Sequence, residues 1–324
     1  MTMELPTPYP AVGTGRDRWI LERRPARNIV DPSRPYAFLV EDERSHSGEI
    51  VPVATVFLTN RECPWRCVMC DLWQNTLIDP VPPGAIPDQI EYALSRLPPA
   101  KHLKLYNSGS FFDPSAIPTE DYAKIASLTR PFERVVVESH PALIGENCLR
   151  FRDLLHCPLE VAMGLETAHP EALERLNKRL TLEQFASSAD RLRANAIGLR
   201  VFVLLQPPFI APSEALFWAE RSLDFAFNCG ATAVTLIPTR AGNGAVDALA
   251  LLHEFRPPGL SLVEAAHQYG LSLHRGRVFV DLWDIAKVPA CLSCQPQRIE
   301  RLRLMNLSQS TPPSEVCDRC GGSQ

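Results

Sequence analysis

The sequence lacks any apolar run approaching the ~20 residues that a membrane-spanning helix needs. Its first stretch, Met1 to Pro10, is rich in proline and shows no charged-then-apolar signal pattern. Neither sign of charge dominates: 33 Lys and Arg stand against 37 Asp and Glu, a net charge of −4. A chain so close to neutral does not bind nucleic acid with its whole surface, although a local basic patch stays open. A disulfide framework is also missing, because the ten cysteines fall mainly into short metal-type spacings. These absences predict a cytoplasmic protein with no membrane partner. With 324 residues and an ordinary 45% hydrophobic content, the chain is long enough for a large core and more than one domain.

Three cysteines stand directly after an apolar, β-branched stretch. Val51 to Leu58 reads as a buried strand, and Thr59-Asn-Arg-Glu-Cys-Pro-Trp-Arg-Cys-Val-Met-Cys-Asp71 follows it. Cys63, Cys67 and Cys70 therefore form a C-x3-C-x2-C run on the loop that leaves the strand's C-terminal end. Thiolates bind soft metals, and [4Fe–4S] clusters are normally held by Cys sulfurs. Three ligands on four irons leave one iron open to bind a substrate. Three unpaired loop cysteines, or part of a zinc site, are the plainer alternatives. The spacing, the preceding strand and the hydrophobic Met69 before the third Cys resemble the motif of the radical S-adenosylmethionine (radical SAM) enzymes. The resemblance implies a [4Fe–4S] cluster on Cys63, Cys67 and Cys70, SAM bound beside it near Met69, and an electron donor such as flavodoxin or ferredoxin.

The rest of the chain alternates strands and helices. Strands are predicted at Val51–Leu58, His102–Tyr106, Arg134–Glu138, Leu159–Gly164, Leu199–Leu205 and Thr232–Ile237, with a last one at Arg277–Leu282. Capping boxes at Thr181-Leu-Glu-Gln184 and Ser261-Leu-Val-Glu264 open two of the helices, and acids after Thr119 suit the start of a third. Such alternation means an α/β fold with a parallel sheet and helices outside it, and six units are too few for the eight-fold barrel. The resemblance implies a partial (β/α)6 TIM-like barrel with its cluster at the strands' C-terminal ends. We expect an N-terminal extension at 1–48, a core barrel at 49–285 and a C-terminal four-cysteine metal domain at 286–324.

Functional residues are expected where strands end. Asn107-Ser-Gly-Ser-Phe-Phe-Asp113 follows the second strand. In radical SAM enzymes a glycine-rich segment at this place meets the methionine amino group of SAM, and Asn107, Ser108, Gly109 and Ser110 match it; the segment's common glutamate is absent. Glu138 and Glu166 end the third and fourth strands, where a carboxylate can accept both hydroxyls of a ribose. Gln206, held by two following prolines, is a candidate for adenine or substrate. Arg240 and the turn Gly242-Asn-Gly244 would suit an anion at a helix start, although so short a motif reads first as a plain turn. His140 and His169 lie near strand ends and read as structural.

A second cysteine set closes the chain. Cys291 and Cys294, then Cys317 and Cys320, form two C-x2-C knuckles that resemble a four-cysteine zinc ribbon. An auxiliary iron–sulfur cluster would use the same ligands; zinc is favoured because paired knuckles suit a closed tetrahedral site. Arg298, Arg301 and Arg303 between the knuckles, and Arg16, Arg18, Arg23, Arg24, Arg27 and Arg34 near the N-terminus, are basic clusters that would either grip phosphate or be solvated. The phrases Asn-Ser-Gly-Ser-Phe-Phe-Asp, Val-Glu-Ser, Gly-Leu-Glu-Thr and Leu-Leu-Gln-Pro-Pro-Phe resemble the archaeosine-biosynthesis radical SAM proteins and, more distantly, the catalytic subunit of Elongator. Both modify tRNA, so the resemblance implies a radical SAM enzyme with a tRNA-related substrate. A small-molecule or peptide substrate, or a non-catalytic metal-bearing RNA-binding protein, are the rival expectations.

Overall fold

A computed structural model describes residues 7–313 and 317–320. The chain enters through helix α1 (Gly13–Leu21) and strands β1 (Ala37–Arg44) and β2 (Ile50–Leu58). Helix α2 (Ala85–Leu94), strand β3 (His102–Asn107), helix α3 (Tyr122–Leu128), strand β4 (Arg134–Glu138), helix α4 (Glu146–Leu154) and strand β5 (Leu159–Glu166) follow. Then come α5 (Pro170–Arg175), α6 (Leu182–Ala194), β6 (Gly198–Leu205), α7 (Ala215–Asn228) and β7 (Ala233–Pro238). The last elements are α8 (Ala245–Leu251), α9 (Leu260–Ser272), β8 (Arg277–Val280) and α10 (Gln295–Ser308).

The eight strands form one sheet in sequence order, with β1 antiparallel to β2 and every later neighbour parallel. The sheet curls into a half-barrel, the partial TIM-like architecture expected. The outward positions of the parallel strands are apolar because helices cover that face. Leu103, Leu105, Val135, Val137, Val161, Met163, Val201 and Val203 pack outward under the helices. Their alternates face the lumen, where the Tyr106 ring meets Phe57 of β2 at 6.2 Å and Phe202 of β6 at 6.0 Å. The predicted strands agree with those observed to within two residues at each end.

Two local expectations differ. The first 48 residues, which show no periodicity, supply α1 and the whole of β1, paired with β2 over eight residues. The predicted capping box at Ser261 does not form: α9 begins at Leu260 with Gly259 as its N-cap. Ser261 Oγ instead accepts a hydrogen bond from Arg298 of α10, and buried Glu264 holds the same guanidinium at 2.5 Å. A desolvated ion pair between two helices outweighs a local cap. At Thr181, where nothing competes, both bonds of the box are present.

Charge fills the N-terminal end of the lumen. Glu43 of β1 binds Lys104 of β3 at 2.5 Å and Arg200 of β6 at 2.6 Å; Arg200 also binds Glu160 of β5 at 2.7 Å. Arg277 of β8 reaches Glu160 at 3.2 Å, so the network ties β1 to β8 across the open seam. Burial pushes the Glu43 and Glu160 carboxyls up, but Arg200 and its neighbouring cations outweigh it and hold both below the usual range. Their contribution to stability is therefore complete above the unfolded carboxylate value near 4.5 and is lost as pH falls through the lower folded values. Outside the seam, α10 serves the free edge of β8: the Asn306 amide exchanges two hydrogen bonds with Val280, and Gln309 does the same with Val278.

Replacing Arg200 by Met leaves Glu43 and Glu160 short of their principal cation. We expect a loss of about 3–5 kcal/mol, read from denaturant unfolding at pH 7 and shrinking as the pH is lowered below 4. Asn306→Ala should speed hydrogen exchange at the Val280 amide and leave Val278 protected, measured by fragment-resolved exchange.

Candidate active site at the barrel mouth

The loop that leaves β2 carries its own carbonyls into a crowded place, and side chains from distant units satisfy them. Asn177 donates to Arg66 O at 2.8 Å, Asn243 donates to Val68 O at 2.8 Å and Cys70 O at 3.1 Å, and Trp73 Nε1 donates to Cys70 O at 3.1 Å. Val68 N–H pairs with Leu176 O at 3.0 Å. Val68 and half-buried Met69 seal the loop from behind in an apolar cluster with Trp19, Ile20, Leu176 and Leu249. Met69 thus packs into this cluster, next to the third cysteine.

Trp65 lies flat on His140, with ring centroids 3.8 Å apart and planes 9° from parallel. His140 Nδ1 accepts the Ala142 N–H, so Nε2–H donates to Lys178 O at 3.1 Å. Burial and the Lys178 charge push the imidazole down to about 3, which keeps it neutral. His140 is a fixed platform for the cysteine loop, and His169 caps α5 through Nδ1; both read as structural in the sequence.

Burial pushes the thiols of Cys63, Cys67 and Cys70 up to about 12. They also lie close enough to act on one another: Cys70 raises Cys63, Cys63 raises Cys67, and Cys67 raises Cys70. The three cysteines are half-buried on one short loop. Neighbouring soft donors are costly as thiolates unless a metal neutralises them, and by its chemistry this donor set fits the three-thiolate attachment of a [4Fe–4S] cluster. Lys178 supplies the nearby positive charge that favours the Cys63 and Cys67 thiolates.

The segment after β3 sits against this loop. A side chain at Gly109 would place its Cβ 3.1 Å from Cys63 Cβ, so glycine is what allows the close approach. Asn107 and Ser108 are buried, and among the described residues the Asn107 Oδ1 and Nδ2 and the Ser108 Oγ have no hydrogen-bond partner. Unpaired buried polar atoms are costly, and here they lie beside the cysteines where a polar ligand would satisfy them. Ser110 is occupied, accepting the His140 N–H at 2.8 Å.

Glu138 accepts the Asn107 N–H at 2.5 Å. Burial pushes its carboxyl up to about 8, against the smaller pull of that hydrogen bond and of Lys178, so it is protonated at pH 7. Glu166 sits at φ 67° beyond a bulge in β5 and binds Lys178 at 2.6 Å. Gly164 makes room for the pair, because a Cβ there would stand 2.2 Å from Glu166 Oε1 and 2.5 Å from Lys178 Nζ. Gln206, at φ 51°, uses its amide nitrogen on Arg256 O at 2.7 Å.

Some expected sites are already filled by the chain itself. Arg240 is paired with Asp281, and the Gly242 and Gly244 N–H groups both bind the Asp247 carboxylate. The turn therefore holds no vacant anion site. The C-terminal basic cluster is likewise internal: Arg298 is 6% and Arg301 8% exposed, bound to Glu264 and to Pro312 O, while exposed Arg303 pairs with Glu300. Near the N-terminus, Arg16 is buried on Glu174, and Arg24 and Arg27 bind Glu62. Internal pairing takes up Arg16, Arg24, Arg27, Arg298 and Arg301, while Arg18, Arg34 and Arg303 stay exposed.

Cys291, Cys294, Cys317 and Cys320 bring their four sulfurs within 4.8 Å of one another, a set that can hold a metal. Cys294 is the N-cap of α10, and its neighbour Arg298 ties the knuckle to α9. Lys178 was not legible in the sequence, since a lysine after a short helix reads as solvated. Asn177, just before it, gave no signal either.

Gly164→Ala should break the Glu166–Lys178 pair while the fold survives, seen as lost Lys178 ion-pair signals by NMR. Glu138 favours folding below its unfolded value of 4.5, and that contribution is lost as pH rises through about 8. The unfolding midpoint of Glu138→Gln, which mimics the protonated acid, should gain on wild type across that interval.

No protein-family profile matches the chain. It is 25% identical over 272 residues to an uncharacterized protein of Methanocaldococcus jannaschii, covering 79% of this chain and 74% of that one. It is 28% identical over 238 residues to the archaeosine synthase subunit beta of Methanosarcina acetivorans, covering 68% of each chain. Among solved structures, methylornithine synthase (PylB) superposes with a TM-score of 0.52 at 10% identity, over 96% of this chain and 79% of that one. The chain thus shares its fold with methylornithine synthase and is similar in sequence to archaeosine synthase subunit beta.

Proposed function

We propose that this protein is a radical SAM enzyme whose [4Fe–4S] cluster is held by Cys63, Cys67 and Cys70 and whose substrate is a tRNA. The observation that carries the reading is the pinned loop: three half-buried thiols on one turn of chain, with Gly109 against Cys63 and the unpartnered Asn107 and Ser108 beside them. When reduced, such a cluster supplies the electron that splits SAM into methionine and a 5′-deoxyadenosyl radical. The protein's part is to bind, orient and exclude water. Asn107 Oδ1 and Ser108 Oγ offer acceptors to the methionine ammonium. Neutral Glu138 offers both a donor and an acceptor to a ribose hydroxyl, and Lys178 offsets the charge of the thiolates. Gln206 keeps its carbonyl for adenine or substrate while its nitrogen is tied down.

The tRNA assignment is supported by the archaeosine synthase name of the Methanosarcina acetivorans relative and only weakly by the arginine clusters, most of whose members are paired within the chain. Zinc is the reading for the C-terminal cysteines. A tetrahedral Zn–S bond of about 2.3 Å puts sulfurs about 3.8 Å apart, whereas a four-iron cube spreads them more widely; the observed limit of 4.8 Å suits the single ion. Flavodoxin or ferredoxin would serve as electron donor, in the cytoplasm.

Anaerobic reconstitution tests the reading. Reduced wild-type protein should form 5′-deoxyadenosine from SAM, more so with total tRNA, and Cys67→Ala should form none. Equal activity in that variant would sink the assignment, and indifference to tRNA would remove the substrate. Metal analysis of a variant lacking Cys63, Cys67 and Cys70 should find one zinc per chain, and iron with sulfide would contradict zinc.

A further inference from the structure

The N-terminal strap, residues 7–30, crosses the back of the cysteine loop and grips both its ends. Arg24, with its side chain 7% exposed, binds Glu62 Oε1 at 2.7 Å and lies over the Trp73 ring at 4.5 Å. Arg27 binds the other oxygen of Glu62 and also donates to Trp73 O at 3.0 Å and to Thr76 Oγ1. Glu62 immediately precedes Cys63, and Trp73, whose indole N–H holds Cys70 O, lies three residues after Cys70. Two guanidinium groups therefore join the start of the loop to its finish. Arg66, inside the loop, adds a third contact to Glu62 at 3.1 Å.

The strap is itself anchored at several points. Arg16 binds Glu174 at 2.7 Å, Tyr9 donates to Arg175 O at 2.8 Å, and Asn28 N–H pairs with Gln74 O at 2.9 Å. At Gly244 the strap comes so close that a Cβ would stand 1.8 Å from Arg23 O. The forked, planar geometry of arginine suits this stapling, because one guanidinium can serve a carboxylate and an aromatic face together.

We infer that Arg24 and Arg27, through Glu62 and Trp73, are positioning residues that fix the spacing of Cys63 and Cys70, so that the N-terminal strap sets how firmly the cluster loop is held. The inference rests on the cluster reading for its consequence, while the stapling itself is a property of the chain without metal. These arginines act on the loop and not on a nucleic acid.

The test uses full-length protein carrying Arg24→Ala with Arg27→Ala, the milder Glu62→Gln, and Arg34→Ala as a control. Arg34 is exposed and stacks over Tyr92 at 3.8 Å, away from the loop. Hydrogen exchange is followed first in cluster-free protein, in fragments spanning 62–76 and, for comparison, in β4 and β5. Faster exchange confined to 62–76 in the double variant and in Glu62→Gln, but not in Arg34→Ala, is the expected result. Exchange at the wild-type rate in that fragment overturns the inference, whatever the metal does. If the double variant loses protection in β4 and β5 as well, Glu62→Gln decides.

In reconstituted protein, the same two variants should bleach several times faster in air and show a raised KM for SAM with kcat less affected. Wild-type bleaching and KM in a loop that exchanges faster would contradict the positioning role. A wild-type protein that assembles no cluster would count against the proposed function alone, since the exchange result stands without it.

Discussion

Satisfying the carbonyls of one short loop is the constraint on which this mouth depends. A cysteine loop that must present three sulfurs inward turns its peptide groups away from any ladder, and buried carbonyls without donors are costly. The protein meets that need with side-chain amides from two other βα units: Asn177 from the link after α5 and Asn243 from the turn before α8. The loop can take its shape only when those units have docked. The geometry of the thiols is thereby a product of the whole barrel and not of the local sequence.

The two ends of the lumen solve opposite electrostatic problems. At the N-terminal end, Glu43 and Glu160 are surrounded by Lys104, Arg200 and Arg277, and every charge has a partner. That end is closed and structural. At the mouth, Glu138 is held protonated, the thiols are held high, and Asn107 and Ser108 are left unpaired. Such unfinished satisfaction is the signature of a place where a ligand completes the bonding.

The strands and the two cysteine sets were legible because their signals are local. Runs such as Val135-Val136-Val137 fit only a strand covered on both faces, and cysteine spacing survives without any knowledge of the fold. What the sequence hid are partnerships between distant residues. Arg298 belongs to Glu264, 34 residues away, and Arg24 to Glu62, 38 residues away, so both looked like free positive charge. Lys178 was silent for the same reason, and the first 48 residues lacked periodicity because β1 is an edge strand, half-covered and stapled by a charge network. Ser261 shows the converse case, in which a good local signal is overruled by a buried ion pair.

The central claim is that SAM binds at an open iron of a cluster held by Cys63, Cys67 and Cys70. It is tested most directly by electron–nuclear double resonance on the reduced, reconstituted protein with SAM labelled at its amino nitrogen or carboxylate oxygen. The account predicts a hyperfine coupling from each label, present in wild type and absent in Cys67→Ala. A reduced cluster whose spectrum carries no coupling from either label would contradict it.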